Sequence, residues 1–170
     1  MAIENFILPC DSNLFKLSRL SSQTMETCIF CKIARGEIPS SKVYEDENVL
    51  AFLDIAPIKK GHTLVIPREH HEIITEVPDP LLKDVILAVK DVSRAVMKAT
   101  GAGGISLSLS MHDVAGQTVP HAHFHIIPRH EGDGLKHWPQ GKYEEGEREE
   151  YAAKIKSALD GDGSDSGEEQ

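Results

Sequence analysis

The chain of 170 residues has little cysteine, few aromatic residues and no long apolar run. Its three cysteines are too few for the disulfide framework of a small secreted domain. No stretch approaches the roughly 20 apolar residues that a membrane-spanning helix needs, so we expect no binding to a membrane. The N-terminus also lacks the apolar segment of a secretory signal. These absences favour a soluble globular protein of the reducing cytoplasm, and they leave the nucleus open as a second location.

The chain also lacks a concentration of positive charge. Its formal net charge is -9, and residues 144–170 alone hold ten acidic and three basic residues. The remainder of the chain is therefore nearly neutral and has no basic stripe. A protein that binds the phosphate backbone of nucleic acid needs such a stripe, so we expect no nucleic-acid partner. A small phosphorylated ligand needs only a few local donors and is compatible with this composition.

Composition divides the chain into four segments. Residues 1–24 have weak periodicity and several serines, which predicts a disordered N-terminal extension before a natural start at Met25. Residues 25–141 contain the periodic apolar segments of one folded domain. Residues 142–159 are predicted to form a C-terminal helical segment. Residues 160–170 are mainly Gly, Ser, Asp and Glu, which cannot form a core and predict a disordered acidic tail.

The hydrophobic pattern predicts one long helix among several short strands. Apolar residues recur at three- and four-residue spacing between Pro80 and Ala99, and Gly101 should stop the helix. A second helix is predicted from about Glu144 to Leu159. Strands joined by short turns and one long crossing helix indicate an α+β fold with a mainly antiparallel sheet. The five predicted strands span residues 42–45, 48–54, 62–67, 105–111 and 119–127.

The most informative motif is a run of three alternating histidines between Pro120 and Pro128. Successive side chains of a strand point to opposite faces, so His121, His123 and His125 should share one face. Three imidazoles placed together in this way can hold a metal, attack a phosphorus or bind an anion. The intervening side chains, expected to face a core, are those of Ala122, Phe124 and Ile126.

Cys28 and Cys31 form a Cys-x-x-Cys pair upstream of the histidines. Such a pair needs two further ligands to close a tetrahedral zinc site, and taken alone it is a weak signal. The candidates are His70 or His71, which follow a predicted strand, and one histidine of the run. A set drawn from positions 28, 31, 70 and 121 would leave no open coordination position. The zinc ion in such a site would be structural.

A Gly116-Gln117-Thr118 segment lies directly before the histidines and resembles half of a phosphate site. Small and polar residues let backbone N–H groups and the Thr118 hydroxyl approach an anion closely. An imidazole attacks phosphorus when one nitrogen is unprotonated and the other is held by a hydrogen bond. His123 is the candidate nucleophile, and His125 could donate to a phosphate oxygen. A catalytic metal held by all three histidines is an alternative.

Together these motifs resemble the histidine-triad (HIT) family, whose signature is three histidines separated by single apolar residues. The resemblance covers about residues 26–141 and implies a HIT-like fold. It also implies a homodimer in which two five-stranded sheets form one sheet of ten strands. The matching segments are Cys28-Ile-Phe-Cys-Lys-Ile33, Gly36-Glu-Ile-Pro39, Leu50-Ala-Phe-Leu-Asp-Ile55, Gly61-His-Thr-Leu-Val-Ile-Pro67, Gly116-Gln-Thr-Val119 and His121-Ala-His-Phe-His-Ile-Ile127.

Within the family, the chain is most similar to the HINT branch of purine-nucleoside phosphoramidases. That resemblance implies hydrolysis of an adenosine (or guanosine) 5′-monophosphoramidate through a covalent nucleotidyl-histidine intermediate, with release of AMP. His123 would be the nucleophile and His125 a phosphate ligand. The residues implied around the nucleotide are Ile29, Phe30 and Ile33 at the adenine, Phe52 and Ile55 beside it, Asp54 at the ribose, Ser110 near the nucleotide, and Gly116, Gln117 and Thr118 at the phosphate. The zinc ligands implied are Cys28, Cys31, His70 and His121.

Two departures from the HINT pattern leave alternatives open. HINT members usually carry asparagine where this chain has Ser110, and serine is shorter. The segment 110–119 also resembles the FHIT-like dinucleoside polyphosphate hydrolases, so hydrolysis of Ap3A or Ap4A is an alternative. A third reading is a nucleotide-binding interaction protein with incidental hydrolysis, whose acidic tail could recruit partners.

Overall fold

The structure is a computed structural model that describes residues 26–136 and 138–162. These residues fall into two compact units, of which the first ends at Asp133 and the second begins at Gly134. The predicted N-terminal extension and the end of the predicted acidic tail lie outside the described residues. Within the described part of the chain, no helix is long and apolar enough to cross a bilayer.

Five strands of the first unit form one antiparallel sheet. Their order across the sheet is β1-β2-β3-β5-β4, and every neighbouring pair runs antiparallel. The last strand in the chain therefore lies inside the sheet, while β1 and β4 form its edges. The mainly antiparallel, five-stranded sheet expected from the sequence is confirmed. The strands are β1 (Lys42–Glu45), β2 (Val49–Leu53), β3 (Thr63–Pro67), β4 (Gly104–Ser108) and β5 (Phe124–Arg129).

Two helices cover opposite faces of the sheet, the short α1 (Ile29–Ala34) and the long α2 (Asp79–Thr100). Side chains alternate along β2 and β3 because the pleat has a period of two, so each strand contributes to both layers. The layer under α1 contains Phe30, Leu50, Phe52, Leu64 and Ile66, and the layer under α2 contains Val49, Ala51, Val65, Val85 and Ile126.

The long helix lies close to its predicted bounds. Pro80 occupies its first turn, where the missing N–H costs no helical hydrogen bond. Gly101 ends the helix at a φ of 65°, a left-handed conformation that glycine adopts without strain. Ile86 and Met97 share the apolar spacing but are 45 % and 41 % exposed, because the contact with the sheet is narrower than the apolar stripe. The buried residues of α2 are Val85, Ala88, Val89, Val92 and Val96.

The histidine run forms a strand only in its second half. Alternation predicted a strand over residues 119–127, and this is wrong at its start, since β5 begins at Phe124. Pro120 has no N–H to donate to a ladder. The Ala122 N–H donates to the carbonyl of His71 at 2.6 Å, outside the sheet. The first two histidines of the run therefore precede the strand.

Gly61 allows the turn before β3 to pack against the end of α2. Its φ is +93°, and a Cβ at this position would lie 2.6 Å from Cγ2 of Thr100. The Asp54 N–H donates to the His62 carbonyl at 3.0 Å and ties the ends of β2 and β3 together. This turn places the buried His62 two residues before Leu64, on the face that α1 covers.

The second unit contains helix α3 (Glu147–Asp162), where the sequence predicted a helix over residues 144–159. Acidic residues fill its first turn, where they interact favourably with the positive end of the helix dipole. Tyr151, Ile155 and Leu159 recur at four-residue spacing and are exposed. The helix is thus predominantly solvent-facing within its own unit.

Candidate functional site

The three histidines of the run lie on the α1 face of the sheet. The ring of Phe30 contacts those of His121 and His123 edge-on, with centroids 5.9 and 5.2 Å away. The rings of His123 and His125 have centroids 4.9 Å apart. His125 pairs with Leu64 of β3 and so points toward α1, as the alternation predicts. Three imidazoles are therefore presented on one side of the sheet, although only one of them lies in a strand.

His121 points toward the Cys-x-x-Cys pair. Its Nδ1 lies 3.5 Å from Sγ of Cys28 and 3.6 Å from Sγ of Cys31. Sγ of Cys31 in turn lies 3.2 Å from Nδ1 of His70. The ligand atoms of these four residues, which we call the Cys-His cluster, lie within 4.8 Å of one another. Of the two histidines that the spacing left open, His70 joins the cluster and His71 does not.

The Cys-His cluster fits a tetrahedral zinc ion. Ligand atoms about 2.0–2.3 Å from zinc stand roughly 3.3–3.8 Å apart in a tetrahedron, close to the separations observed. Nε2 of His121 donates to the Pro67 carbonyl at 2.9 Å, which leaves its Nδ1 unprotonated and able to bind a metal. Burial, and next the adjacent Cys28, raise the pKa of Cys31 to about 12. A thiolate at Cys31 therefore needs a cation beside it.

His123 is held in the tautomer of a nucleophile. Its Nδ1 lies 2.6 Å from the carbonyl oxygen of His121 and donates a proton to it. Nε2 of the neutral ring then carries the lone pair. Burial lowers the pKa of His123 below its ordinary value, so the ring is neutral at neutral pH. Because His121 also belongs to the Cys-His cluster, that cluster fixes the carbonyl that orients His123.

A fourth histidine, His62, belongs to the site. Its Nε2 lies 2.9 Å from Nδ1 of His125. The Ile58 N–H donates to Nδ1 of His62 at 3.3 Å, so a neutral His62 carries its proton on Nε2 and donates to His125. A neutral His125 then carries its own proton on Nε2. Burial lowers the pKa of both rings, that of His125 to about 4, so the neutral forms dominate at neutral pH.

Sequence reasoning did not single out His62 as a functional residue. A lone histidine at the start of a strand has no periodic signal, and its partner His125 lies 63 positions away in the chain. The available signal was the Gly61-His62 pair. A glycine forced into a left-handed turn directly before a buried histidine indicates that the backbone is arranged to place that imidazole.

The histidines of the run do not converge on one metal ion. Both ring nitrogens of His121 are directed to other groups, and Nδ1 of His123 is bonded to a backbone carbonyl. Among the described residues, the groups able to hold a metal are the Cys-His cluster and the set formed by Asp54, His62 and His125. The geometry therefore does not favour the three-histidine metal centre considered as an alternative.

The apolar residues implied around adenine divide between core and surface. Phe30 and Phe52 meet edge-on, with ring centroids 5.6 Å apart, and are buried with Ile33 in the layer under α1. Ile29 is 46 % exposed, and Ile55 is fully exposed in the single chain. The aromatic pair is thus brought beside the histidines, whereas Ile55 faces solvent.

Asp54 and Ser110 are the polar residues implied near the nucleoside. Asp54 is half-buried at the end of β2, and its Oδ2 lies 3.4 Å from Nδ1 of His62. Its Oδ1 accepts the Ala56 N–H at 2.8 Å, which fixes the carboxylate beside the histidines. Ser110 is half-buried just beyond the end of β4. The structure therefore places the carboxylate of Asp54 beside a histidine of the site.

Residues 112–118, which we call the 112–118 loop, are bonded to one another. The Gly116 N–H donates to the Asp113 carbonyl at 2.8 Å, and the Gln117 N–H donates to the His112 carbonyl at 3.1 Å. Both N–H groups were expected to face an anion and are instead engaged within the loop. Thr118 is exposed and offers its hydroxyl to solvent.

Comparison with known proteins identifies the family. A family model described as HIT domain matches residues 35–132, which is more than half of the chain. The chain belongs to the HIT family. The signature histidines, the buried sheet and the Cys-His cluster described above thus lie in or next to a HIT domain.

Three relatives illustrate the range of names in the family. An uncharacterized HIT-like protein of Methanocaldococcus jannaschii is 56 % identical over 107 residues, which cover 63 % of this chain and 82 % of that protein. Adenosine 5′-monophosphoramidase hnt1 of Schizosaccharomyces pombe is 45 % identical over 103 residues, which cover 61 % of this chain and 74 % of that protein. Adenylylsulfatase HINT3 of Arabidopsis thaliana is 39 % identical over 127 residues, which cover 74 % of this chain and 64 % of that protein. The names of the last two relatives describe hydrolases.

Two solved structures support the fold. A HIT family protein from Bacillus subtilis superposes with a TM-score of 0.72 at 43 % identity, covering 77 % of this chain and 96 % of that one. A zinc-bound histidine triad family protein from Mycobacterium smegmatis superposes with a TM-score of 0.63 at 35 % identity. The superposition covers 79 % of this chain and 99 % of that one. The HIT-like fold expected from the sequence is confirmed.

We expect the protein to bind a single zinc ion per chain, and His70→Ala to weaken this binding at least about 100-fold, because a ligand of the cluster is lost. His71→Ala is the matched control, since His71 adjoins His70 and lies outside the Cys-His cluster. Zinc content after dialysis and competition with a chromophoric chelator measure the effect. Equal losses in the two variants would contradict this ligand assignment.

We expect His125 to carry its proton on Nε2, because its Nδ1 accepts from His62. His62→Phe removes the donor and should yield a mixture of His125 tautomers, whereas His62→Gln keeps an N–H donor and should preserve the single tautomer. Two-bond ¹H–¹⁵N spectra of protein labelled at histidine distinguish the tautomers. A wild-type spectrum with the His125 proton on Nδ1 would rule out the proposed direction of this bond.

Proposed function

We propose that this protein is a nucleotide hydrolase that cleaves adenosine (or guanosine) 5′-monophosphoramidates at the α-phosphorus and releases the nucleoside monophosphate. The observation that carries the proposal is the pair of neighbouring rings, His123 with its Nδ1 proton held by a carbonyl and His125 with an N–H to donate. Such a pair attacks phosphorus and stabilises phosphate charge at one place. The Schizosaccharomyces pombe relative is named for this activity.

In the proposed reaction, the Nε2 lone pair of His123 attacks the α-phosphorus. A phosphorus–nitrogen bond to His123 forms while the bond to the leaving amine breaks, and the departing nitrogen takes up a proton. The positive charge that develops on the ring is offset at Nδ1, whose proton is held by the His121 carbonyl. Water then attacks the phosphorus, loses a proton and displaces Nε2. This second step releases the nucleotide and restores a neutral His123.

The transition-state charge falls on the non-bridging oxygens of the phosphate. His125 donates to one of them through Nε2, because its other nitrogen accepts from His62. This donor is neutral, so its contribution comes from the fixed direction of the N–H and not from a full charge. Thr118, whose hydroxyl is exposed beside the run, donates to a second oxygen.

We place the nucleoside on the α1 side of the sheet. Buried aromatic and aliphatic side chains there give the base an apolar wall, and the fixed carboxylate of Asp54 accepts hydrogen bonds from the ribose hydroxyls. The residues we propose around the nucleotide are Ile29, Phe30, Ile33 and Phe52 at the base with Ile55 at its margin, Asp54 at the ribose, Ser110 nearby, and Thr118 at the phosphate, with Gly116 and Gln117 in the loop that carries Thr118.

We propose zinc as a structural cofactor of the Cys-His cluster. The separations between the donor atoms and the unprotonated Nδ1 of His121 support this choice, and one solved relative is described as zinc-bound. Four protein ligands leave no open coordination position, so the ion supplies rigidity and no Lewis-acid step. It would hold His121, and through the His121 carbonyl it would hold the orientation of His123.

The leaving group could also be a phosphate or a sulfate, because the proposed attack occurs on the nucleotide side of the scissile bond. The segment 110–119 is similar to the FHIT-like hydrolases of Ap3A and Ap4A. The Arabidopsis relative is named an adenylylsulfatase. These substrates share the α-phosphorus and the nucleotidyl-histidine intermediate, and they differ in the acidity of the departing group.

We propose that the protein is a homodimer whose two sheets join at β4. This strand is an edge of the sheet among the described residues, so one row of its backbone groups has no strand partner there. Leu107 of β4 is 54 % exposed beside an apolar groove of about 440 Å³ between β4 and α2. Antiparallel pairing of β4 with its own copy across a twofold axis would bury both features.

We place the protein in the cytoplasm. Its described cysteines, Cys28 and Cys31, are free thiols in a site that requires them reduced. A reducing compartment maintains that state, which a zinc ligand must have.

We expect rapid release of AMP from an adenosine 5′-phosphoramidate by the wild type, and a loss of at least about 10³-fold in His123→Ala, since no other group replaces the nucleophile. AMP binding by the variant should remain close to that of the wild type, because His123 acts mainly in bond making. Turnover of Ap4A and of adenylyl sulfate under the same conditions ranks the leaving groups.

Retention of turnover in His123→Ala would refute the nucleophile. Faster wild-type turnover of Ap4A or adenylyl sulfate would keep the mechanism and move the substrate to that class. Binding of AMP without turnover of any of the three would make a nucleotide-binding interaction protein the better description.

We expect a dimer by sedimentation equilibrium, and Leu107→Asp to shift it toward the monomer, because the substitution places a carboxylate from each chain in the proposed apolar contact at β4. Val43→Asp is the control, since Val43 is 51 % exposed on the opposite edge strand β1. Dissociation in both variants, or a monomeric wild type, would be incompatible with pairing at β4.

A further inference from the structure

The side chain of Gln117 uses both ends of its amide inside the protein. Its Oε1 accepts the backbone N–H of His112 at 2.7 Å. Its Nε2 donates to the backbone carbonyl of Glu72, also at 2.7 Å. The side chain therefore bridges two backbone groups that are 40 positions apart in the chain numbering, at residues 112 and 72. A bridge of this kind fixes one segment relative to another.

The first end of this bridge holds a strained residue. His112 has φ 66° and ψ 160° and, among the described residues, is the non-glycine residue with positive φ. Side chains other than glycine rarely adopt this conformation, which persists only where the surroundings enforce it. Here the His112 N–H is bound by the Gln117 side chain, and the His112 carbonyl accepts the N–H groups of Ala115 and Gln117 at 3.2 and 3.1 Å.

The second end lies in the segment that carries the metal ligand. Glu72 follows His70 of the Cys-His cluster by two positions, and His71 between them accepts the Ala122 N–H at 2.6 Å. Two bonds, one from the side chain of Gln117 before the histidine run and one from the backbone of Ala122 within it, therefore tie this part of the chain to one short segment. The bond from Gln117 restrains the 112–118 loop relative to this segment.

We propose that Gln117 is a positioning residue that braces the 112–118 loop against the segment carrying His70, in place of binding phosphate with its side chain. This inference rests on the proposed function, because it concerns the loop that we place at the phosphate. The brace sets the distance from Thr118 to the histidines and keeps residue 112 in its left-handed conformation.

Turning the amide of Gln117 to face a phosphate would disrupt the brace. The described bonds engage the amide oxygen and one of the two N–H donors on Nε2. Turning the amide toward an anion would break the bond to Glu72 and leave His112 with a strained backbone and no acceptor for its N–H. A half-buried side chain with two short bonds to fixed backbone atoms is therefore a structural support for the loop.

A double-mutant cycle on AMP affinity tests the brace. Gln117→Met has a similar length and removes both bonds, so AMP binding should weaken about tenfold. Glycine adopts a positive φ without strain, so His112→Gly removes the need for the brace at this position. This variant alone should change AMP affinity by less than about threefold. In the His112→Gly background, Gln117→Met should then cost less than about threefold. Isothermal titration with AMP measures all four proteins, and zinc content confirms that each remains folded.

Gln117→Lys separates the brace from direct phosphate binding. Lysine donates and cannot accept, so it leaves the His112 N–H unbound and should weaken AMP binding as methionine does. If Gln117 instead contacted the phosphate, the added cation would maintain or tighten binding. Hydrogen exchange in the absence of nucleotide provides an independent readout, since loss of the brace should speed exchange across residues 112–118.

Three results would each overturn the brace. The first is an equal loss of AMP affinity from Gln117→Met in the wild-type and His112→Gly backgrounds. The others are tighter AMP binding by Gln117→Lys and unchanged hydrogen exchange in Gln117→Met. In these cases a wild type that binds AMP leaves the proposed function standing. A wild type that does not bind AMP would contradict the proposed function itself, and with it any role of Gln117 in nucleotide binding.

Discussion

The geometry of the site depends on one hydrogen bond, from Nδ1 of His123 to the carbonyl of His121. This bond fixes which nitrogen of His123 has a lone pair, and its direction depends on where His121 is held. The ring of His121 is fixed on both sides, by the thiols at Nδ1 and by the Pro67 carbonyl at Nε2. The Cys-His cluster and the ring of His123 are therefore consecutive parts of one rigid unit, and in the proposed mechanism the cluster orients the nucleophile without touching the substrate.

Burial favours the neutral form of the histidines outside the Cys-His cluster that form the site. It lowers the pKa of His62, His123 and His125, so the site contains neutral rings whose donors and acceptors are set by their neighbours. In the relay from Ile58 through His62 to His125, each bond determines the tautomer of the next ring. Neutral rings suit a nucleophile, which must have a free lone pair. In the proposed reaction, the phosphate would then be stabilised by oriented N–H groups and not by a histidine cation.

Elements whose signal is local could be predicted from the sequence. The period of α2 and its terminal glycine, the strands β2 and β3, and the alternation of the histidines all follow from burial along a short stretch. The start of β5 could not be predicted, because a contact between Ala122 and the distant His71 decides it. His62 could not be recognised from the sequence for the same reason, because its role depends on contact with the distant His125. The choice of His70 over His71 likewise depended on folding or on family resemblance.

The two faces of the sheet differ in how closely the packing of the core is linked to the candidate site. Under α2 the buried cluster consists of aliphatic side chains, so a cavity there affects unfolding before it affects the site. Under α1, Phe30 packs against Phe52 in the core and also contacts the rings of His121 and His123. A change at Phe30 would therefore disturb the core, His121 of the Cys-His cluster and the ring of His123 together. This layer cannot be repacked without moving these histidine rings, since the same side chains pack in the core and against the rings.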